Sequence, residues 1–207
     1  MNPPPPVVTI VVSGLPRSGT SLVMAMLAAG GIPPHTDGQR QADADNPNGY
    51  WELEAVKRLA ADASWLTGAV GRAVKIVVPL VRFLPADPRQ SFQVLLLERD
   101  LDEVVASQAA MLEHKGLKPL LAAARLKPAL TRQWEESRQV LAHRPNVSLR
   151  VVNHRQLLAA PAAVAAEVAA FLGLPLAVGA MAAVVDSRLY RQRSDSPPGQ
   201  VPAGKVE

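Results

Sequence analysis

Cysteine is absent from the 207 residues of this chain, which excludes disulfides, thiolate metal sites and cysteine nucleophiles. That composition suits a reducing compartment, and a cytoplasmic location is the expectation. Aromatic residues make up 4% of the chain and charged residues 19%. Nucleic-acid surfaces combine clustered Lys and Arg with interleaved rings. With so few rings and a net charge of only +4, nucleic acid is not an expected partner, although small anionic ligands are admitted. No apolar run approaches the ~18 residues of a membrane helix, so no membrane contact is expected either. The leading MNPPPPVVTIVVSG lacks the basic flank and small-residue cleavage site of a secretory signal.

What is present is enough for one core. The apolar fraction of 48% over this length fits a single domain, expected over 7–190, with a proline-rich leader at 1–6 and a mobile tail at 191–207. Residues 7–13, VVTIVVS, are almost wholly apolar and β-branched, the pattern of a strand buried on both faces. Further strands are expected at 73–78, 93–98 and 147–152. Helices are expected at 21–29, 52–66, 101–112, 118–143 (with Pro128 bending or breaking it) and 161–172. Asp100 and Glu103 stand at capping-box spacing before the 101–112 helix. Strands alternating with helices predict a three-layer α/β/α domain around a mostly parallel sheet.

The junction GLPRSGTSL, 14–22, is laid out as a phosphate-binding loop. Gly14 and Gly19 allow a tight strand-to-helix turn whose N–H groups face an anion, and the following helix adds its positive end. Ser18, Thr20 and Ser21 supply hydroxyls, and Arg17 a permanent charge with a forked geometry. The Walker pattern wants Lys where this chain has Thr20, and that Lys serves a triphosphate. No aspartate follows an apolar strand in the Walker-B manner, Glu98 being the nearest acid.

Pro16-Arg17-Ser18-Gly19-Thr20 resembles the loop that holds the 5′-phosphosulfate of 3′-phosphoadenosine 5′-phosphosulfate (PAPS) in the sulfotransferase family, in its bacterial and tyrosylprotein variant. A second segment, ERDLDEVVAS, has Arg99 at a strand end and Ser107 eight residues later. It is similar to the family's 3′-phosphate motif. NPNGYWE and FLGLP resemble further segments of bacterial members. The resemblance implies a P-loop-like sulfotransferase fold. It further implies nucleotide contacts from Pro16, Arg17, Ser18, Gly19, Thr20, Ser21, Arg99 and Ser107, with the bisphosphate PAP as product and no metal.

Sulfuryl transfer needs cations near the transferring group and a base near the acceptor. Arg17 is the first cation by resemblance, and Lys75 the second, since a Lys inside the apolar AVKIVVP is expensive to bury without a partner. The His found in cytosolic members two residues after that Lys is Val77 here. The candidate bases are Glu52, with Tyr50 and Trp51 as an acceptor wall, then His35 and Asp45. His154 falls where members carry an acid and reads as structural. Arg188, Arg191 and Arg193 read as a basic tail, because the family's glycine-rich C-terminal segment is missing. The expected activity is transfer from PAPS to a hydroxyl or amine of a small molecule or glycan. An ATP-dependent P-loop kinase and a non-catalytic nucleotide-binding relative remain the alternatives.

Overall fold

The structure, a computed structural model, describes residues 7–40, 43, 49–117 and 122–186. The strands are β1 (Val7–Gly14), β2 (Ala73–Lys75), β3 (Gln90–Glu98) and β4 (Val147–Asn153). The helices are α1 (Thr20–Ala29), α2 (Leu101–His114), α3 (Ala123–Ala142), α4 (His154–Ala159), α5 (Pro161–Leu172) and α6 (Val178–Ala183). The sheet has the order β2-β1-β3-β4, and all three pairings are parallel. Helices cover both faces, as the sequence predicts for a three-layer α/β domain.

Alternation along the strands sorts the core into two halves. Ile10, Val12, Leu95, Leu97 and Val152 pack with Met24 and Leu27 of α1, Leu157 of α4, Val168 of α5 and Met181 of α6. Val11, Val74, Phe92, Val94 and Leu96 face the other way, onto Val104 of α2 and Leu130 and Leu141 of α3. Each such side chain stabilises the fold by roughly 1.5–3 kcal/mol when fully buried. The strands at the middle of the sheet therefore read as unbroken apolar runs.

Several boundaries differ from the sequence reading. The ladder of β2 closes at Lys75, yet Ile76 N still donates to Val12 O at 3.0 Å and Val78 N to Gly14 O at 3.2 Å. The chain thus follows β1 as far as its turn. The helix expected over 52–66 does not form, and short 3-10 turns at Glu54–Arg58 and Ser64–Ala69 replace it. Its first carbonyl is already engaged, because Glu52 O accepts from Thr36 Oγ1 at 2.6 Å and from Asp37 N at 3.3 Å. Asp62 Oδ1 then takes Ser64 N at 2.9 Å, a side-chain turn that competes with helix. Helix α3 runs through Pro128 without interruption. The expected capping box is half realised: Asp100 Oδ1 accepts from Asp102 N and Glu103 N at 2.9 and 3.1 Å, while the Glu103 carboxylate is used elsewhere.

After β1 the chain pairs β2 on one side and later β3 on the other. The carboxyl ends of β1 and β3, in register at Gly14 and Leu97, therefore flank the point where the strand order reverses. Open α/β sheets bind their ligands at such a crevice.

Candidate active site

The turn from β1 to α1 is tightly determined. Ser18 N donates to Leu15 O at 3.1 Å, and the first helical bond runs from Val23 N to Gly19 O at 3.2 Å. The N–H groups of Thr20 to Leu22 lie ahead of that bond and so point out of the helix end. Gly19 has φ 99° and Arg17 φ 74°, the latter costing a non-glycine residue about 1–2 kcal/mol. A Cβ on Gly14 would stand 2.4 Å from Ser18 Oγ, and one on Gly19 would stand 2.6 Å from His154 Cδ2. The hydroxyls of Ser13 and Ser18 are buried with no hydrogen-bond partner among the described residues.

The two sequence motifs meet here. Arg17 Nε donates to Ser107 Oγ at 3.1 Å, and Arg99 Nη1 donates to Arg17 O at 2.8 Å. Gln108 Nε2 adds a bond to Pro16 O at 3.2 Å. These three contacts from β3 and α2 hold the strained Arg17 backbone in place. Arg99 Nε also reaches Glu103 Oε2 at 3.0 Å, and Arg155 Nη2 of α4 reaches the other oxygen of that carboxylate at 3.2 Å. Glu103, only 3% exposed, sits between two guanidiniums, the pairing that makes a buried carboxylate tolerable.

A second cluster forms beyond the end of β2. Lys75 is 7% exposed; its Nζ donates to Tyr50 O and to Glu52 Oε1 at 3.4 Å. Burial lowers the Lys75 pKa, the nearby Glu52 carboxylate opposes that shift, and Arg40 adds slightly to it. Arg40 Nη1 meets both Glu52 oxygens at 3.1 and 3.2 Å, and its guanidinium lies 3.3 Å from the centre of the Tyr50 ring. Tyr50 Oη donates to the Asp43 carboxylate at 2.6 Å; burial, and then that bond, raise its pKa. Glu52 thus stands between two cations, with Tyr50 stacked against one of them.

The candidates from sequence fall into these two groups. Arg17, Arg99 and Ser107 are together, with Pro16, Ser18, Gly19, Thr20 and Ser21 on the same turn. Lys75 and Glu52 are together at the neighbouring strand end. Arg17 is turned toward α2 and Ser107 rather than toward Lys75. His35 is elsewhere: its ring stacks on Trp65 at 6.1 Å, and burial, followed by Arg72, lowers its pKa. His154 is buried against Gly19, and its pKa falls to about 4, through burial first and Arg99 second, with Glu103 opposing. Asp45, Arg188, Arg191 and Arg193 lie outside the described residues, as do the leader, the tail and 46–48 of NPNGYWE. Sequence reasoning passed over Arg40 and Arg155. In NHRQL the sequence reading singled out His154, where a family acid would stand, and gave Arg155 no role.

No family model and no curated protein matches the chain. Solved structures do. A sulfotransferase domain from the Synechococcus PCC 7002 olefin synthase is 16% identical, with 98% of this chain and 93% of that one covered and a TM-score of 0.55. A retinol dehydratase in complex with androsterone and the inactive cofactor PAP is 17% identical, covering 93% and 72%, with a TM-score of 0.51. A sulfotransferase from Mycobacterium avium is 13% identical, covering 94% and 70%, with a TM-score of 0.50. Among the described residues no helix is long and apolar enough to cross a membrane. The chain has the fold of the sulfotransferases.

Proposed function

We propose that this protein is a PAPS-dependent sulfotransferase acting on a hydroxyl, or an amine, of a small-molecule or glycan acceptor. The observation that carries the reading is the meeting of two motifs far apart in sequence: Arg17 Nε on Ser107 Oγ at 3.1 Å, across 90 positions, and Arg99 on the Arg17 carbonyl at 2.8 Å. The donor set there suits a phosphorylated nucleotide. It consists of loop N–H groups, the Thr20 and Ser21 hydroxyls and two guanidiniums. The buried carboxylate of Glu103 is engaged by Arg99 and Arg155. The retinol dehydratase of the same fold holds PAP.

In the transfer, the acceptor oxygen attacks sulfur in line as the bond from sulfur to the 5′-phosphate oxygen breaks. PAP leaves with the electron pair. Glu52 is the group assigned to take the acceptor proton, and Lys75, 3.4 Å from it, to offset charge on the sulfuryl oxygens. Arg17 and the N-terminal turn of α1 stabilise the leaving phosphate. Glu52 needs its Arg40 partner to yield when an acceptor arrives, and both side chains are more than a third exposed, so the exchange is sterically open. Thr20 in the Walker Lys position disfavours the kinase alternative.

Calorimetric titration of PAP, and of ADP with magnesium, into wild type, Arg17→Ala and Arg99→Ala tests the reading. Micromolar PAP binding is expected, weakened about tenfold to hundredfold in each variant, the worth of a charge-assisted contact. Preference for ADP, or no binding of either nucleotide, refutes it.

A further inference from the structure

Two cations share one carboxylate beyond the end of β2. Glu52 Oε1 stands 3.1 Å from Arg40 Nη1 and 3.4 Å from Lys75 Nζ, and Arg40 Nη1 also reaches Glu52 Oε2 at 3.2 Å. Among the described residues, Glu52 is the carboxylate that both cations meet. Lys75 and Glu52 have roles in the transfer, whereas Arg40 has none so far.

Arg40 is held by more than that pair. Its guanidinium lies 3.3 Å from the centre of the Tyr50 ring, a cation–π contact. Tyr50 is 6% exposed and is anchored twice: its Oη donates to Asp43 at 2.6 Å, and its backbone carbonyl accepts from Lys75 Nζ. Tyr50 is thus a fixed platform, and the guanidinium can stay on it when Glu52 moves. The Arg40 side chain is 41% exposed, so an anion arriving from solvent can reach it.

The assigned chemistry takes the shared carboxylate away. Once Glu52 accepts the acceptor proton it is a neutral acid, and both cations lose its charge together. The sulfuryl oxygens replace that charge for Lys75, and Arg40 needs an anion of its own. A carboxylate carried by the acceptor supplies one, with the same pair of oxygens that Glu52 offers and the geometry that a guanidinium fork prefers. Because Glu52 Oε1 is so close to Arg40 Nη1, the hydroxyl that reaches Glu52 and the carboxylate that reaches Arg40 must lie only a few bonds apart.

We propose that the acceptor is a hydroxy acid and that Arg40 is the specificity-determining residue that binds its carboxylate. The inference rests on the transferase reading above and narrows its substrate class. As the acceptor docks, its carboxylate takes the place of Glu52 on Arg40. Glu52 is then free to take the hydroxyl proton while the acceptor oxygen bonds to sulfur and PAP leaves.

PAP release from PAPS, above the rate without acceptor, tests it with salicylate and mandelate, each against its neutral amide. The proteins are wild type, Arg40→Gln and Arg40→Lys, with circular dichroism and PAP titration to confirm folding and nucleotide binding. Wild type should favour each acid over its amide by about tenfold to hundredfold in kcat/KM, the worth of a charge-assisted contact. Arg40→Gln should bring that ratio close to one, chiefly through the KM of the acid, and Arg40→Lys should keep part of it. An unchanged ratio in a folded Arg40→Gln protein overturns the proposal, as does a wild type that uses the amides as well as the acids. Wild type that binds PAP but turns over neither acid also overturns it, leaving the donor site standing. Wild type that binds no PAP removes the transferase reading itself, and the role of Arg40 with it.

Discussion

Replacing Gly19 by Ala adds one methyl group where the phosphate loop has least room for it. At φ 99° a left-handed backbone costs an L-residue about 1–2 kcal/mol. The new Cβ would also stand 2.6 Å from His154 Cδ2 and 3.3 Å from its Nε2, well inside van der Waals contact. His154 is 6% exposed, so its ring cannot simply swing into solvent, and overpacking of this kind costs about 1–3 kcal/mol. The two parts sum to about 2–5 kcal/mol, a large share of an ordinary domain's stability. Urea unfolding of wild type, Gly19→Ala, His154→Ala and the double variant separates them. With His154 in place the substitution should cost the full amount. With Ala at 154 it should cost only the backbone share, leaving a coupling of about 1–3 kcal/mol. Equal cost in both backgrounds, or a cost below about 0.5 kcal/mol, would refute the claim that the imidazole backs the loop.

Two further outcomes test the remaining groups. Lys75→Met and Glu52→Gln should each lower turnover by about a hundredfold or more with PAP affinity nearly unchanged; a collapse of PAP affinity in either would move that residue into the nucleotide site. The His154 pKa of about 4 in the folded chain lies below its ordinary 6.5, so the unfolded chain takes up that proton first as pH falls. Stability contributed by the neutral ring is therefore complete above pH 6.5 and is lost toward pH 4, by on the order of 3 kcal/mol. In urea unfolding, His154→Gln should flatten that stretch of the stability profile, and an unchanged slope would refute the assignment.

How much of this was legible in the sequence depended on how local the cause was. Strand β1 and helix α5 were readable because their signals are short-range: a β-branched run before a glycine turn, and a proline-started helix closed at Gly173 with φ 67°. The glycine turn between β1 and α1, and the placement of Arg99 just past β3 and Ser107 within α2, were readable for the same reason, each being a fixed spacing within one turn or one helix. The helix expected over 52–66 failed because the competing bonds come from Thr36 and Asp37, residues that no local window around Glu52 contains.

The same reasoning explains why Glu52 met a different setting from the one expected. Its neighbours in sequence are aromatic, and they suggested an apolar wall. Its neighbours in space are Arg40 and Lys75, brought in from a polar loop and from the strand beside β1. Arg155 is the extreme case. Nothing next to it in the sequence points to Glu103, and its contact with that carboxylate comes from the order of the strands, which sets β4 against β3. Motifs locate the loop and the strand end, while the partners of the charged residues around them are placed by tertiary neighbours. In this chain the glycine turn after β1 and the end of β3 were therefore the readable part of the candidate site, while the neighbours of Glu52 and Glu103 were set by the sheet topology.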